Sequence, residues 1–287
     1  MAVESTFNWY WLVDGLIEHS YPAMLVNTGA IQQHSGLKHS DDDYDAWWLA
    51  HMMRLGILPT GHIYPRDERA VRDLLRKRTS LVQQRTANVL SVQNLEQRNR
   101  AVRVSTKEVR ALTSESIAAN YDNEDLAFAL DSTVSVIETL SAQINLLERR
   151  VLKKARLRKE FELVQTIWGI GPILGLTIMY EAGSMDRFKT VGDFASYCRC
   201  VDAKRFSNGK KKAENNAKNG NAYLGWAFHE AAHFAVRYYP EAKRYYDRKA
   251  SKTKPIVAIH AVAHKLARAA FHVLKGQVTF DPKRTFV

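Results

Sequence analysis

The feature that most restricts the fold of this chain is a long interval without helix-breaking residues. No proline occurs between Pro65 and Pro172, and no glycine occurs between Gly61 and Gly169. Glycine and proline destabilise a helix interior more than any other residues, so their absence over such a length favours continuous helix. A large part of the 287-residue chain is therefore predicted to be helical.

The second half of this interval carries apolar residues at a spacing of seven. The clearest row is Leu130, Ile137, Ile144 and Val151. A neighbouring row with two polar members is Leu126, Thr133, Leu140, Leu147, Lys154 and Phe161. Apolar residues with this period form the seam of a coiled coil.

The first half of the interval, from about 66 to 114, has a looser apolar pattern with many arginines and glutamines. A cluster of Asn and Asp at 118–125 predicts a turn there. Two helices of roughly 45 residues would then form an antiparallel coiled-coil arm about 65 to 70 Å long. We define the arm as residues 65–160, and its simplest role is that of a spacer or a dimerisation element.

Residues 1–64 contain a short α/β pattern. Amphipathic helix is predicted for 9–18 and again for 42–55, with a buried strand at 23–27 and a second strand at 1–4. Strands need neighbours, and two short ones are too few to close a sheet. The expectation is a partial domain, so that the chain begins partway through it.

Residues 161–287 are predicted to form a third, α-helical domain. Gly169-Ile170-Gly171-Pro172 lies between two helical segments and resembles the turn of a helix-hairpin-helix, in which backbone N–H groups can approach a phosphate. A tight turn that needs glycine for backbone reasons explains the same residues equally well. Three further helices are predicted at 223–239, 240–251 and 255–275.

Charge is distributed unevenly along the chain, whose net charge is +12. Residues 1–60 carry 2 basic and 7 acidic side chains, whereas residues 61–160 sum to +6 and residues 161–287 to +11. A basic body with an acidic beginning suggests a polyanionic partner and a separate site for divalent cations. Without a leader or an apolar run of the roughly 20 residues that span a membrane, the chain is predicted to be cytoplasmic.

The acidic stretch before Trp47 is the first candidate site. Asp42 and Asp45 are three residues apart, so on a helix that starts near Ser40 both carboxylates project from one face toward a shared cation. An N-cap at Ser40 followed by acids that interact with the helix dipole explains the stretch without a metal. The residues alone favour this second interpretation.

The polar loop 202–221 is the second candidate site. It holds Ser207 among basic residues, an arrangement that suits a phosphodiester. A serine before Asn208-Gly209 is also what a plain turn contains, and the residues alone favour that explanation. The only cysteines, Cys198 and Cys200, lack a second pair at zinc-ligand spacing and are predicted to be reduced thiols.

Several separated motifs resemble one family in order and spacing. The motifs are Val3-Glu4-Ser5-Thr6, the stretch 37–46 around Asp42, Gly169-Ile170-Gly171-Pro172 with Glu181 and Arg187-Phe188 behind it, Ser196 to Val201, and Lys218-Asn219-Gly220-Asn221 before Tyr223-Leu224. They resemble transposases of the insertion-sequence 110/116/902 family. That family consists of DEDD-type DNA recombinases with a RuvC-like (RNase H-like) N-terminal domain and a distinct C-terminal transposase domain.

The resemblance implies a catalytic metal site. Glu4, Asp42 and Asp45 match the second, third and fourth acidic residues of the family, which bind Mg²⁺ or Mn²⁺. Carboxylates suit such hard cations, which stabilise attacking and leaving oxygens in phosphodiester transfer. The fold class that follows is mixed and mostly α: a partial RuvC-like α/β domain at 1–64, the coiled-coil arm at 65–160, and an α-helical domain with a helix-hairpin-helix at 161–287.

The resemblance also implies a covalent step. Ser207 matches the family's serine, which attacks a DNA phosphodiester and forms a transient phosphoserine link. The nucleic-acid-binding residues implied around it and at the glycine turn are Lys204, Arg205, Lys210, Lys211, Lys212, Gly169 and Gly171. The family works on DNA with a structured guide RNA, as a dimer or a tetramer, and is expected at the nucleoid.

One acidic residue of the family has no counterpart here, because it lies tens of residues upstream of the position of Glu4. The expectation is an N-terminally truncated copy with weakened metal binding. Two other functions fit the residues. One is a non-catalytic DNA- or RNA-binding protein, and the other is a helix-hairpin-helix nuclease that uses only the metal site.

Overall fold

The computed structural model describes residues 1–31, 41–155, 158–201, 204–208, 210–214 and 219–286. The chain folds into two compact units. Unit 1 comprises Met1–Arg66 together with Asp202–Gly220, and unit 2 comprises Asp67–Val201 together with Asn221–Val287. The chain is mostly α, as predicted, and none of the described helices is both long and apolar enough to cross a membrane.

The first part of unit 1 is a short strand–helix–strand unit followed by a helix. Strands β1 (Ala2–Glu4) and β2 (Met24–Val26) pair in parallel, and helix α1 (Trp9–Glu18) connects them. Helix α2 (Asp42–Arg54) follows. All four elements lie where the sequence predicts them, because alternating or helix-periodic apolar residues supply their buried faces.

Two small apolar clusters hold these elements together. Trp9, Val13 and Leu25 join α1 to the strands, and Val26, Leu49 and Met52 join α2 to β2. Both clusters place apolar side chains of a helix against the strand pair, and this fixes where the first turn of α2 lies relative to β1.

The basic loop of the sequence contains a β-hairpin, which corrects the expectation of a loop over 202–221. Strands β3 (Lys204–Ser207) and β4 (Lys210–Glu214) pair antiparallel, with Ser207 opposite Lys210 at the closed end. Asn208 follows with φ of +53°, a left-handed conformation that asparagine adopts more readily than most residues. The segment is rich in lysine, a residue that is depleted in strands, and its composition therefore does not predict a strand.

Unit 2 begins with the helical arm, whose first helix is shorter than predicted. Helix α3 (Arg66–Arg100) ends well before Ser114, and two short helices, α4 (Thr106–Val109) and α5 (Ser114–Asn120), come before α6 (Glu124–Ala155). The turn predicted at 118–125 is confirmed at the start of α6.

The early end of α3 has a local cause that does not involve proline or glycine. Ala101 has φ of +56°, which stops a helix. Capping boxes at Ser105 with Glu108 and at Thr113 with Ser116 then start the two short helices. A prediction based only on the positions of glycine and proline therefore overestimates the length of α3.

Helices α3 and α6 run antiparallel along their length. Arg78 pairs with Glu148 at 2.6 Å, and Arg85 donates to the Ser141 hydroxyl at 3.3 Å. From the first contact to the second, the position moves seven residues forward on α3 and seven back on α6. The four residues of the predicted seam are buried, at 0% to 2% exposure: Leu130, Ile137, Ile144 and Val151.

The rest of unit 2 is a bundle of helices around a large apolar core. The bundle contains α7 (Lys159–Gln165), α8 (Pro172–Ala182), α9 (Val191–Tyr197), α10 (Ala222–Tyr238), α11 (Pro240–Ala250), α12 (Pro255–Gly276) and α13 (Pro282–Thr285). The three long helices predicted near the C-terminus are confirmed to within one residue at either end. Helices α8 and α12 lie deep in this core, since most of α8 and one whole face of α12 are buried.

Candidate active site

Three acidic side chains line one cavity of about 480 Å³ in unit 1. They are Glu4 at the end of β1 and Asp42 and Asp45 in the first turn of α2. Thr6 and Asn8 add polar groups to the lining. The remaining walls are apolar: Ala2, Val3, Trp9, Trp11, Leu12, Ala46, Leu49, Ala50 and Met53.

The helix period decides which acids of the stretch reach this cavity. Asp42 and Asp45 are one turn apart and line it together, whereas Asp41 and Asp43 do not. Asp41 is the N-cap of α2, and its carboxylate accepts the backbone N–H of Tyr44 at 2.9 Å. The cap is thus Asp41, which corrects the expectation of Ser40, a residue outside the described part of the chain.

The donor chemistry of the cavity suits a hard divalent cation. Among the described residues that line the cavity, all three ionisable groups are carboxylates, the ligand type that Mg²⁺ and Mn²⁺ prefer, and none is a thiol or an imidazole. Among the described residues, no group of three or more His, Cys, Asp and Glu side chains is close enough to share one ion. Glu4, Asp42 and Asp45 therefore share a cavity without forming a ready coordination sphere.

The hairpin places the other predicted catalytic residue at the end of a strand. Ser207 ends β3, next to the turn at Asn208, and Lys210 opposite it is exposed. For five of the predicted site residues in the hairpin, the structure describes the backbone and not the side chain. They are Lys204, Arg205, Ser207, Lys211 and Lys212.

The glycine turn between α7 and α8 has a clear packing role. Gly169 has φ of +81°, and a Cβ there would lie 2.1 Å from the carbonyl oxygen of Ala231 in α10. Gly171 is different, because it caps α8, is exposed, and would have nothing within 4 Å of an added Cβ. Backbone packing explains Gly169, and open space remains for a ligand only at Gly171.

A buried polar network that the sequence does not predict lies at the centre of unit 2. Glu181 is 0% exposed and accepts two hydrogen bonds from Arg76, at 2.6 and 2.8 Å. Asn221 donates to the same carboxylate at 2.7 Å and caps α10 by accepting the N–H groups of Tyr223 and Leu224. The network joins α3, α8 and α10 at the residue where the chain re-enters unit 2 after the hairpin.

Only one member of this network has a role that the sequence predicts. Asn221 before a helical segment is a recognisable N-cap. The partners Arg76 and Glu181 are 105 residues apart, and no local pattern connects them.

The two cysteines are buried free thiols, which agrees with the prediction of reduced thiols. Burial raises the pKa of Cys200 to about 12 and that of Cys198 well above the usual range. A thiol with so high a pKa is a poor nucleophile and a poor metal ligand at neutral pH. Neither cysteine is a candidate for catalysis.

Two family models match separate stretches of the chain. A model described as Transposase, for the DEDD transposases of IS110 elements, matches residues 1–97. A model described as Transposase IS116/IS110/IS902 family matches residues 161–247. In both stretches the chain is similar to transposases of the IS116/IS110/IS902 family. The first matched stretch includes the residues of the acidic cavity, and the second includes the glycine turn and the hairpin.

One relative belongs to the same functional class by name. It is a protein of Pseudomonas aeruginosa called "Probable family 20 transposase", and it is 26% identical over 229 residues. The match covers 75% of this chain and 66% of that protein. The chain thus matches just under two thirds of the relative's length.

Proposed function

We propose that this protein is a DNA transposase and recombinase of an insertion sequence, with an acidic metal site and a serine nucleophile. The observation that supports the proposal most is the shared cavity of Glu4, Asp42 and Asp45. These residues match the family's acidic positions, and Asp41 and Asp43, which match none, lie outside the cavity. The similarity to transposases supports DNA as the partner.

The acidic cavity would hold the divalent cation that this family usually uses. Glu4, Asp42 and Asp45 would bind Mg²⁺ or Mn²⁺ through carboxylate oxygens. When bound, such a cation stabilises charge on the attacking and leaving oxygens of a phosphodiester. Thr6 and Asn8, which also line the cavity, would offer hydrogen bonds to a strand end.

Ser207 would carry the covalent step. Its hydroxyl loses a proton, Oγ bonds to phosphorus, and the bond from phosphorus to one ester oxygen breaks. That oxygen takes a proton and leaves as a strand hydroxyl, and a hydroxyl of another strand later displaces the serine. Lys204, Arg205, Lys210, Lys211 and Lys212 would bind the phosphate oxygens, because a serine hydroxyl needs positive neighbours to be activated.

Recognition of the target would be divided between protein and RNA. A structured guide RNA would pair with target and donor DNA, while the basic protein binds shape and phosphates. A dimer or a tetramer would allow the acidic site of one subunit to work with the serine of another. The long arm of α3 and α6 would be an element for such assembly.

Two alternatives make different predictions about the same experiment. A non-catalytic nucleic-acid-binding protein is favoured by the absence, among the described residues, of a preformed three-ligand metal cluster. A helix-hairpin-helix nuclease that uses the acidic site alone would cut DNA independently of Ser207. The first forms no covalent adduct, and the second forms nicks without an adduct.

The experiment incubates the protein with radiolabelled DNA that spans the ends of the element, RNA transcribed from the adjoining noncoding segment, and Mg²⁺. Denaturing gels then reveal protein-linked DNA. We expect an adduct in the unaltered protein, none in Ser207→Ala, and an undiminished adduct in Ser196→Ala, which changes an exposed serine of α9. An adduct that persists in Ser207→Ala would refute the serine assignment, and nicking lost only in Asp42→Ala would favour the nuclease.

A further inference from the structure

A second cavity, of about 990 Å³, lies in unit 2 between α12 and the C-terminal segment 278–285. Its lining is strongly basic. Among the described residues of the lining, the basic side chains are Lys265, Arg268, His272, Lys283 and Arg284, and the one acidic side chain is Asp281. No part of the proposed reaction uses this cavity.

Asp281 is already engaged and does not neutralise the cavity. Its carboxylate caps α13 by accepting the N–H groups of Lys283 and Arg284, at 2.9 and 3.2 Å, and it pairs with the Arg284 guanidinium at 3.4 Å. Within the described part of the chain, no carboxylate lies within 4.0 Å of the cationic groups of Lys265, Arg268 or Lys283. The cavity therefore has an excess of positive charge.

Helix α11 adds further cations beside Lys265. The ring of buried Tyr245 is approached by the Lys265 ammonium at 5.5 Å, the Lys249 ammonium at 5.8 Å and the Arg248 guanidinium at 5.5 Å. Burial lowers the pKa of Lys265, and the charges of Arg268, Lys249 and Arg248 lower it further. Like charges held this close repel one another, and a bound polyanion would relieve that repulsion.

The position of these cations on α12 is rigid. Lys265, Arg268 and His272 are three and seven residues apart and so share one face of the helix. The opposite face, which includes Leu266 and Ala270, is fully buried in the core. The packed core fixes the backbone that presents the charges, so binding would cost little ordering of the main chain.

We propose that this basic cavity binds the sugar–phosphate backbone of a nucleic acid. The cations are distributed over α11, α12 and the C-terminal segment, a layout that fits several successive phosphates better than one small anion. Within the described part of the chain, no carboxylate forms an ion pair with Lys265, Arg268 or Lys283, so each of these cations is available to replace a counterion on the nucleic acid. The proposal rests on the proposed function only for the choice of a nucleic acid as the polyanion.

The test measures how strongly salt weakens binding. Fluorescence anisotropy gives the affinity of Lys265→Gln/Arg268→Gln for a labelled 20-base-pair duplex, for single-stranded DNA and for single-stranded RNA over a range of KCl concentrations. Loss of two phosphate contacts should reduce the slope of log K against log salt by roughly 1.8 on duplex DNA and roughly 1.4 on a single strand. The ligand on which the slope falls identifies the source of the phosphates.

The matched control is Lys243→Gln/Arg244→Gln, which removes the same charge from α11. Lys243 is paired with Asp247 and Arg244 with Glu241, so their loss should leave the slope nearly unchanged. Because Lys265 packs on Tyr245 and its loss could unfold the protein, a second variant, Arg268→Glu/Lys283→Glu, changes only exposed side chains. A folded second variant with the slope of the unaltered protein would overturn the proposal.

The measurement is independent of the serine chemistry. It is made on Ser207→Ala protein without a divalent cation, so no strand is cut and no adduct forms. A failure of the basic cavity to bind would therefore leave the covalent-adduct experiment unaffected, and a failure of the adduct experiment would leave the binding result standing.

Discussion

The buried network around Glu181 should contribute measurably to the stability of unit 2. Glu181→Gln keeps the shape of the side chain and removes its charge, so no cavity forms. The variant leaves the Arg76 guanidinium facing a neutral amide and weakens the hydrogen bond from Asn221. Removing one partner of a buried ion pair costs about 3 to 5 kcal/mol. Since the Arg76 side chain is 32% exposed, we expect the lower end, about 3 kcal/mol.

The assay is equilibrium urea unfolding followed by far-UV circular dichroism, together with a thermal melt. For a unit of this size, about 3 kcal/mol corresponds to a fall in Tm of roughly 6 to 12 °C. The matched control is Glu148→Gln, which alters the pair that Glu148 forms with Arg78 between the arm helices. That carboxylate is 27% exposed, so its loss should cost about 1 kcal/mol or less.

The two variants together isolate the effect of burial. Both remove one carboxylate charge that faces an arginine of α3, and they differ mainly in how far water reaches the pair. Equal losses of unfolding free energy in Glu181→Gln and Glu148→Gln would refute the assignment of a special role to the buried network. A loss confined to Glu148→Gln would refute it as well.

Two further predictions concern glycine and cysteine. Gly169→Ala should lower the unfolding free energy by about 3 to 5 kcal/mol, because its Cβ would meet Ala231 and its φ is positive, whereas Gly171→Ala should be near neutral; urea unfolding separates the two. Cys198 and Cys200 should resist iodoacetamide at pH 8.5 in the folded protein and react in urea, as mass spectrometry would reveal. Since burial raises the pKa of Cys200 from 9.0 to about 12, stability from its protonated thiol is complete below pH 9 and is lost as pH rises toward 12. Alkylation of the two cysteines at equal rates in the folded and the unfolded protein would contradict the burial of their thiols.

Elements with a strong local pattern were predictable from the sequence. Helix α1 begins and ends at the predicted residues, and α10, α11 and α12 lie within one residue of their predicted limits, because each combines an apolar face with a clear start or stop. The end of α3 was not predictable from breakers, since Ala101 and two capping boxes end it. The β3–β4 hairpin is not predicted by its residues, because lysine is depleted in strands.

The candidate site was predictable where one helical turn defines it. The spacing of Asp42 and Asp45 placed both carboxylates on one face, and that face lines the cavity. The addition of Glu4 needed the family resemblance, because a strand and a helix 38 residues apart share no local pattern. The basic cavity could not be predicted from the sequence for the same reason. Its cations come from separate segments, and only the packing of unit 2 brings them together.

Titration of the acidic cavity with Mn²⁺ tests the central claim most directly, because it needs neither the DNA target nor the guide RNA. Electron paramagnetic resonance measures free Mn²⁺ in the presence of the unaltered protein, of Asp42→Asn/Asp45→Asn, and of Asp41→Asn/Asp43→Asn. The last variant removes the same two charges from the same helical turn, outside the cavity. We predict Mn²⁺ binding in the unaltered protein, at least a tenfold weaker affinity in the first variant, and little change in the second. Equal affinities in the two variants would contradict a cation site built on Asp42 and Asp45.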